Sequence, residues 1–227
     1  MTSSARDDDD AARPALTRER VLRAGVEIAD AEGIGALSMR SLARRLGVEA
    51  MSLYHHVANK EQLLDGMVDL VFAEIHLPVV GNDWAEEMRL RSESGREVLT
   101  RHRWAVGLMD SRSAPGMATL RHHDAVLGCL RGAGFPVALA AHAFAVLDAH
   151  LYGFMVQELS LPFRGSADLH ELADSILDGL PVDTLPHLTE LIRDHALVPG
   201  YDFGDEFGYG VDLVLEGLGR RLADIAT

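Results

Sequence analysis

The stretch LSMRSLARRLGVEAMSLYHHVANKEQLLDGM, Leu37 to Met67, carries three helical segments separated by two short breaks. Ser38 is a capping residue type placed just ahead of Met39, Leu42, Ala43 and Leu46, whose i, i+3, i+4, i+7 spacing makes one helical stripe. Gly47 suits the left-handed position just past that helix. A short segment follows, predicted as helix from about Glu49 to His56. Asn59-Lys60-Glu61-Gln62 then has the form of a capping box, with Asn in place of Ser or Thr. Leu63, Leu64, Met67, Val68, Val71, Phe72 and Ile75 continue an apolar stripe behind it. Two short helices meeting at a glycine have the size of a helix-turn-helix, in which the first braces the second and the second enters a major groove. Leu42, Ala43, Leu46, Val48, Leu53 and Val57 are the inward set, facing Val21, Ile28 and Leu37. Ala50, Met51, Ser52, Tyr54 and His55 are the outward set. Periodicity alone does not separate a DNA reader from simple three-helix packing.

Upstream, Thr17 is placed to cap a first helix with Val21, Leu22, Gly25, Ile28 and Ala29 on one face, ending near Gly33 and Gly35. Residues 1–13 are polar, include Asp7 to Asp10, and are expected to be a disordered acidic tail rather than a secretion signal. Downstream, Pro78 and Gly81 mark the first boundary. Beyond it, helices are predicted near 83–100, 103–110, 116–132, 136–160, 167–179, 184–195 and 206–224, with proline and glycine in the breaks. The expected organisation is a tail at 1–13, a helix-turn-helix domain at 14–76 and a helical domain at 77–227. The fold class is all-α.

Composition narrows the function. The 227 residues contain 48% hydrophobic and 25% charged side chains, enough for a sizeable core. A single cysteine, Cys129, permits no intrachain disulfide, fits a reducing cytoplasm, and reads as buried and inert. The most apolar run, Phe135 to Pro162, is interrupted by His142, Asp148, His150, Gln157 and Glu158, which argues for a core helix rather than a membrane span. The formal charge is −14, yet residues 11–60 hold eight Lys or Arg against five acids. A basic segment on an acidic body keeps a phosphate partner open, because attraction is screened beyond about 8–10 Å.

The specific residues go further than the pattern. Leu46-Gly47-Val48, the Leu-Tyr-x-His-Val of 53–57 and the Asn-Lys-x-x-Leu-Leu-Asp of 59–65 resemble the DNA-binding domain of the TetR (tetracycline repressor-like) regulators, over residues 17–75. DEFGYGVDLVLEGLGRRL, 205–222, looks like the last dimerising helix of that branch. The resemblance implies a ligand-responsive regulator, most simply a repressor, and not an enzyme. It implies a homodimer that binds a palindromic double-stranded operator and is released by a small-molecule effector. The DNA-contacting set it implies is Ser38, Met39, Arg40, Ala50, Met51, Ser52, Tyr54, His55, His56 and Lys60. Ser38 lies at a helix N-terminus, where hydroxyl and backbone N–H groups meet phosphate. Arg40 is either a bidentate reader of guanine or a solvated helix arginine. Ala50 and Met51 suit thymine methyls, and Ser52 a base or phosphate. Tyr54 and His56 match phosphate-bonding residues, with His55 an aromatic position beside them. Lys60 adds charge to a helix N-terminus. Arg44 and Arg45 read as solvated charges on the bracing helix. On the reading face Ala50 and Met51 replace the longer polar side chain and the proline usual in that branch, which leaves DNA binding implied and the operator sequence open.

The remainder is expected to sense a ligand and to dimerise. The long helix near 136–160 and the final helix near 206–224 would pair as a four-helix bundle. Gly204, Gly208, Gly210, Gly217 and Gly219 in or beside the latter either allow close backbone approach or are simply tolerated. By resemblance the ligand pocket lies among the middle helices, with Trp104, Leu108, Met109, Met117, Phe144, Leu147, His150, Leu151 and Phe154 as candidate liners. Each is also an ordinary core residue type. The resemblance puts Leu108 or Met109 where tetracycline repressors carry a histidine that helps hold a magnesium–drug complex, which argues against tetracycline as the effector. Eleven histidines invite a metal reading, but no Glu-x-x-His, His-Glu-x-x-His or Cys-x-x-Cys pattern supports one. No cofactor, metal or membrane partner is expected. A second reading stays open, a helical small-molecule binding or interaction module that does not read DNA.

Overall fold

A computed structural model describes residues 15–109, 111–163, 166–179 and 185–226. The acidic tail expected at 1–13 lies outside the described residues. All regular elements among the described residues are helical. The chain divides into two compact units, one ending at Met67 and the other beginning at Val68. The division falls within a helix rather than at the Pro78–Gly81 break, because the two halves of that helix bury their stripes in different cores.

In the first unit, the head, local chemistry sets each helix end. Thr17 caps α1 (Arg18–Glu32), its hydroxyl accepting from the Arg20 N–H at 3.2 Å. Ser38 caps α2 (Met39–Leu46), accepting from the Ser41 N–H at 3.0 Å, while the Ser41 hydroxyl accepts from the Ser38 N–H at 2.9 Å. Gly47 then takes φ +68°, the left-handed conformation that stops α2 and turns the chain. The next helix, α3, covers only Ala50–Leu53, shorter than the predicted 49–56, and gives way to turns at Tyr54–His56. Those turns carry Leu53 and Val57 inward together, and both are fully buried alongside Leu37 and Leu42. Each such side chain contributes about 1.5–3 kcal/mol by leaving water. Asn59 starts α4 (Lys60–Glu74), accepting from the Gln62 N–H at 2.8 Å, and Gln62 returns the contact by accepting from the Ala58 N–H at 2.7 Å.

The second unit, the body, is a bundle of α5 (Trp84–Arg101), α6 (Met117–Gly132), α7 (Val137–Ser160) and α10 (Asp205–Ala226), which pack on one another. Two further helices, α8 (Ser166–Gly179) and α9 (Pro186–Leu191), precede α10, and α9 widens into a π-helical stretch at Ile192–Ala196. The helix predicted at 103–110 reduces to one 3-10 turn, Arg103–Ala105. His102 leaves the helical conformation there at ψ +56°, and its buried ring faces Glu74 at 3.3 Å. α7 is long and apolar enough by composition to cross a membrane. It nevertheless buries Asp148 together with Leu139, Leu147, Leu151 and Met155 inside the bundle. Cys129 is buried on α6, and burial pushes its thiol pKa up, which leaves it unreactive.

Candidate nucleic-acid interface and effector site

The reading surface of the head follows from what its core takes away. With Leu53 and Val57 pointing inward, Met51 is 73% exposed and Tyr54 44% exposed on the opposite side of the same short segment. His55 is exposed there too, while Ala50, Ser52 and His56 are half-buried at its margin. On α2, Ser38 and Arg40 are exposed and Met39 is half-buried. Lys60 is exposed in the first turn of α4, where unpaired backbone N–H groups add to its charge. The basic side chains divide into two groups. Arg23 is held by Glu19 and Arg45 by Glu27, each at 2.8 Å, so Arg45 braces α2 against α1 rather than standing as a lone solvated charge. Among the described residues no acid engages Arg40, Arg44 or Lys60. The head thus offers unneutralised cations, a phenol and an apolar tip on one three-helix unit, a chemistry suited to phosphates and base edges.

The body turns polar groups inward. Arg91 on α5 is 1% exposed and donates through Nη2 to Asp148 on α7, and through Nε to His122 Nε2 on α6 at 3.1 Å. Because His122 Nε2 accepts that bond, its ring proton sits on Nδ1. Burial, followed by the Arg91 charge, lowers the His122 pKa to about 3, so the ring is neutral. Phe72 lies against both His122 and His123 at 5.5 Å between ring centres, and Phe144 against His123 at 5.1 Å. Nearby, Glu87 is buried with its carboxylate accepting from Asn82 at 2.6 Å and the Val79 N–H at 3.1 Å, with the His76 ring at 2.7 Å. Those bonds, Asn82 first, hold its pKa below the usual carboxylate range. Sequence reasoning passed over Arg91, Glu87 and His122, and used Asp148 only as a sign that its helix belongs to the core. A charged residue on the apolar side of a helical stripe was the signal that could have found Arg91.

A cavity of about 290 Å³ opens elsewhere in the body, at the C-terminal ends of α5 and α7. Thr100, Arg103, Glu158, Leu159, Phe163 and Phe203 are among its walls. None of the nine liners named from sequence is among them. Phe154 comes nearest in role, stacking on Phe203 at 5.1 Å. Trp104, Met109, Leu147, Leu151 and Phe154 are core; Leu108, Phe144 and His150 are half-buried; Met117 is 60% exposed. Apolar character marks burial but not empty space, which is why those residues sort into core and surface. His150 has a separate task. Its ring stacks on Phe207 at 5.1 Å, its Nε2 lies 3.1 Å from the Phe207 carbonyl, and it fills the space a Cβ at Gly210 would need. Gly204 likewise leaves room for Arg96, which is bound to Glu158 at 3.1 Å through Nε. Gly208 and Gly217 face nothing of their own chain within 4 Å, and Gly219 meets only Trp84 at 3.8 Å.

The chain can be compared with known proteins on this footing. The family model described as "Bacterial regulatory proteins, tetR family" matches residues 21–67, and "Tetracyclin repressor-like, C-terminal domain" matches residues 77–222. An HTH-type transcriptional regulator of Saccharopolyspora erythraea is 37% identical over 147 residues, which span 64% of this chain and 62% of that one. The HTH-type transcriptional repressor DrrR1 of Streptomyces coeruleorubidus is 31% identical over 218 residues, 91% of this chain and 78% of its own. The crystal structure of ActR from Streptomyces coelicolor in complex with actinorhodin superposes with a TM-score of 0.76 at 28% identity, covering 92% of this chain and 99% of that one.

Proposed function

Because the chain belongs to the TetR family of ligand-responsive transcriptional regulators, we propose that it acts as a homodimeric repressor whose two heads grip a palindromic operator and let go when a small effector binds the body. The observation that carries this reading is the head itself. Met51 and Tyr54 stand exposed over the buried Leu53 and Val57, flanked by Arg40 and Lys60 with no acid on them. One such head reads a half-site, and a two-fold pair reads half-sites about 34–36 Å apart or a multiple of that spacing. Tyr54, His56, Lys60 and Ser38 position the head on phosphates. Arg40, Ala50, Met51 and Ser52 face base edges, with Met39 and His55 beside them. The pairing surface is the outer side of α7 and α10, where Val146, Val156, Tyr209 and Leu213 are exposed. No catalytic role is proposed, and the place of action is the cytoplasm, where the operator lies.

The effector works by population shift, so it must bind the DNA-released state more tightly than the DNA-bound one. The second half of α4 is the element it would bias. Asp69 on that half accepts from the Thr119 N–H at 2.8 Å and the Thr119 hydroxyl at 3.0 Å, supplying α6 with the N-terminal cap that Gly116 cannot. Glu74 on the same half accepts from Arg101 at 2.9 Å. Movement of α5 or α6 around a ligand therefore pulls on α4, whose first half belongs to the head. ActR is seen with actinorhodin, and by that likeness the effector here is a small organic molecule.

Selection of bound duplexes from a random pool tests the proposal. An inverted repeat should emerge, with affinity that falls steeply as salt rises. Recovery of no palindrome, with a strictly monomeric chain at the concentrations used, would favour the ligand-binding module that does not read DNA.

A further inference from the structure

The cavity at the ends of α5 and α7 carries chemistry of its own. What it takes up follows from its walls; that the occupant is the effector rests on the regulator reading above. At about 290 Å³ it stands at the small end of the range for small-molecule sites. Two of its wall residues are rings held in place by other rings. Phe203 stacks on Phe154 at 5.1 Å with the planes 16° apart, and Tyr201 meets the His195 ring at 4.9 Å. With Phe163 and the buried Leu169 they give the space an aromatic and aliphatic lining, preset for a flat apolar body. Two charged wall residues of opposite sign are each anchored to backbone. Arg103, in the turn after α5, donates through Nη2 to the Leu159 carbonyl at 3.4 Å. Asp202 accepts from the Gly204 N–H through Oδ1 at 2.7 Å. Among the described residues neither has an ion-pair partner. Glu158, the third charged wall residue, is already taken up by Arg96, through Nη2 and through Nε at 3.1 Å. Arg96, Arg103, Glu158 and Asp202 therefore bring two charges of each sign. A ligand of one sign gains at one anchor and loses at the other, whereas a ligand carrying both signs gains at both. Arg103 and Asp202 are exposed while Phe163, Tyr201 and Phe203 are half-buried, so the charges stand at the rim and the rings below them. Between the wall residues Thr100 and Arg103 lie Arg101 and His102, which both face Glu74 on the second half of α4. An occupant pressing on this end of α5 thus reaches α4 in one step.

We propose that this cavity is the effector site and that the effector is a zwitterion with an aromatic body, its carboxylate drawn to Arg103, its ammonium to Asp202 and its ring to Phe203.

Calorimetric titration of the full chain at about pH 6.5 tests this with two indole zwitterions of different span, tryptophan and the dipeptide Trp-Gly. Each is compared with its amide, which keeps only the positive charge, and with its N-acetyl form, which keeps only the negative one. At least one of the two zwitterions should bind about fivefold or more tightly than both of its blocked forms, and the margin should shrink as salt rises, because the anchors stand at the rim. Arg103→Gln should bring that zwitterion to within about twofold of its amide while leaving the amide unchanged. Asp202→Asn keeps an oxygen for the Gly204 N–H and should bring it to within about twofold of the N-acetyl form while leaving that form unchanged. Both positions are exposed, and each variant should keep the parent's denaturation midpoint. Parity of both zwitterions with their blocked forms, or tighter binding of a blocked form, overturns the proposal. A preference that survives both substitutions overturns it too, as does no binding of any probe at about 5 mM. The selected duplex then tests the role of the site. The preferred zwitterion should release it at concentrations where the amide does not, and binding without release overturns the effector role alone. Failure to bind any duplex removes the regulator reading and leaves the titrations to decide the site on their own.

Discussion

Up to Met67, the buried side chains of the described residues carry no polar group, while beyond it Glu87, Arg91, His122 and Asp148 lie inside the bundle. The fully buried side chains of the head are all apolar, whereas the body adds a charged cluster to a largely apolar core. Burying a charge costs several kcal/mol unless it is paired, and replacing a buried pair with apolar residues is often neutral or stabilising. Stability is therefore a poor reason for the body to hold Arg91 and Asp148. A core that only supports a reading surface has no need of interior polarity, whereas a core that must discriminate among small molecules does. The contrast separates the two tasks by where each unit puts its hydrogen-bonding groups.

Removing one arginine from each unit is the sharpest way to break that contrast. Arg91→Ala leaves Asp148 buried without its partner and should cost about 3–5 kcal/mol in chemical denaturation, whereas Arg40→Ala should stay within about 0.5 kcal/mol. Equal losses would mean that the two arginines do the same work. On DNA the ranking should invert. Arg40→Ala should lose about 1–3 kcal/mol of operator affinity and relax base preference in a competition assay, while Lys60→Ala weakens all duplexes alike and lowers the salt slope by about one.

Acid sharpens the same comparison. The folded-state pKa of His122, about 3, lies below its ordinary value of 6.5. Between those values the unfolded chain takes up a proton that the folded body refuses, so stability falls with pH by about 1.4 kcal/mol per unit, or about 2 kcal/mol from pH 6.5 to 5. Glu87 adds to the loss at lower pH, since its lowered pKa contributes stability above the ordinary carboxylate range that disappears as pH drops through the folded value. Denaturation at several pH values should show the His122 slope in the parent and its absence in His122→Phe. The smallest expected effect is that of Asp69→Ala, about 1 kcal/mol, the size of a lost helix cap. Its informative readout is effector-driven release from the operator, which should weaken while operator affinity without effector stays within about threefold.

The same division governs how much was legible in the sequence. In the head, Thr17, Ser38, Gly47 and Asn59 act within four residues of themselves, so their chemistry could be read along the chain, whereas the short extent of α3 escaped. The capping partner Ser41 escaped too, because a hydroxyl stands where a Glu or Gln would have announced the box. In the body the decisive contacts are long-range. Arg91 and Asp148 are 57 positions apart, so the apolar stripe of α5 could flag Arg91 but could not name its partner. The cavity near Phe163 and Phe203 was invisible for a different reason: composition reports which residues avoid water, not where they fail to meet. Gly204, just ahead of α10, and Gly210 within it make the point at single positions, since only their neighbours Arg96 and His150 show what fills the space beside them.

Those two sockets constrain more than packing. One peg in one socket leaves a rod free to spin; two, at Gly204 and Gly210, fix both its height and its rotation against α5 and α7. α10 thereby keeps one height and one rotation within the bundle of its own chain.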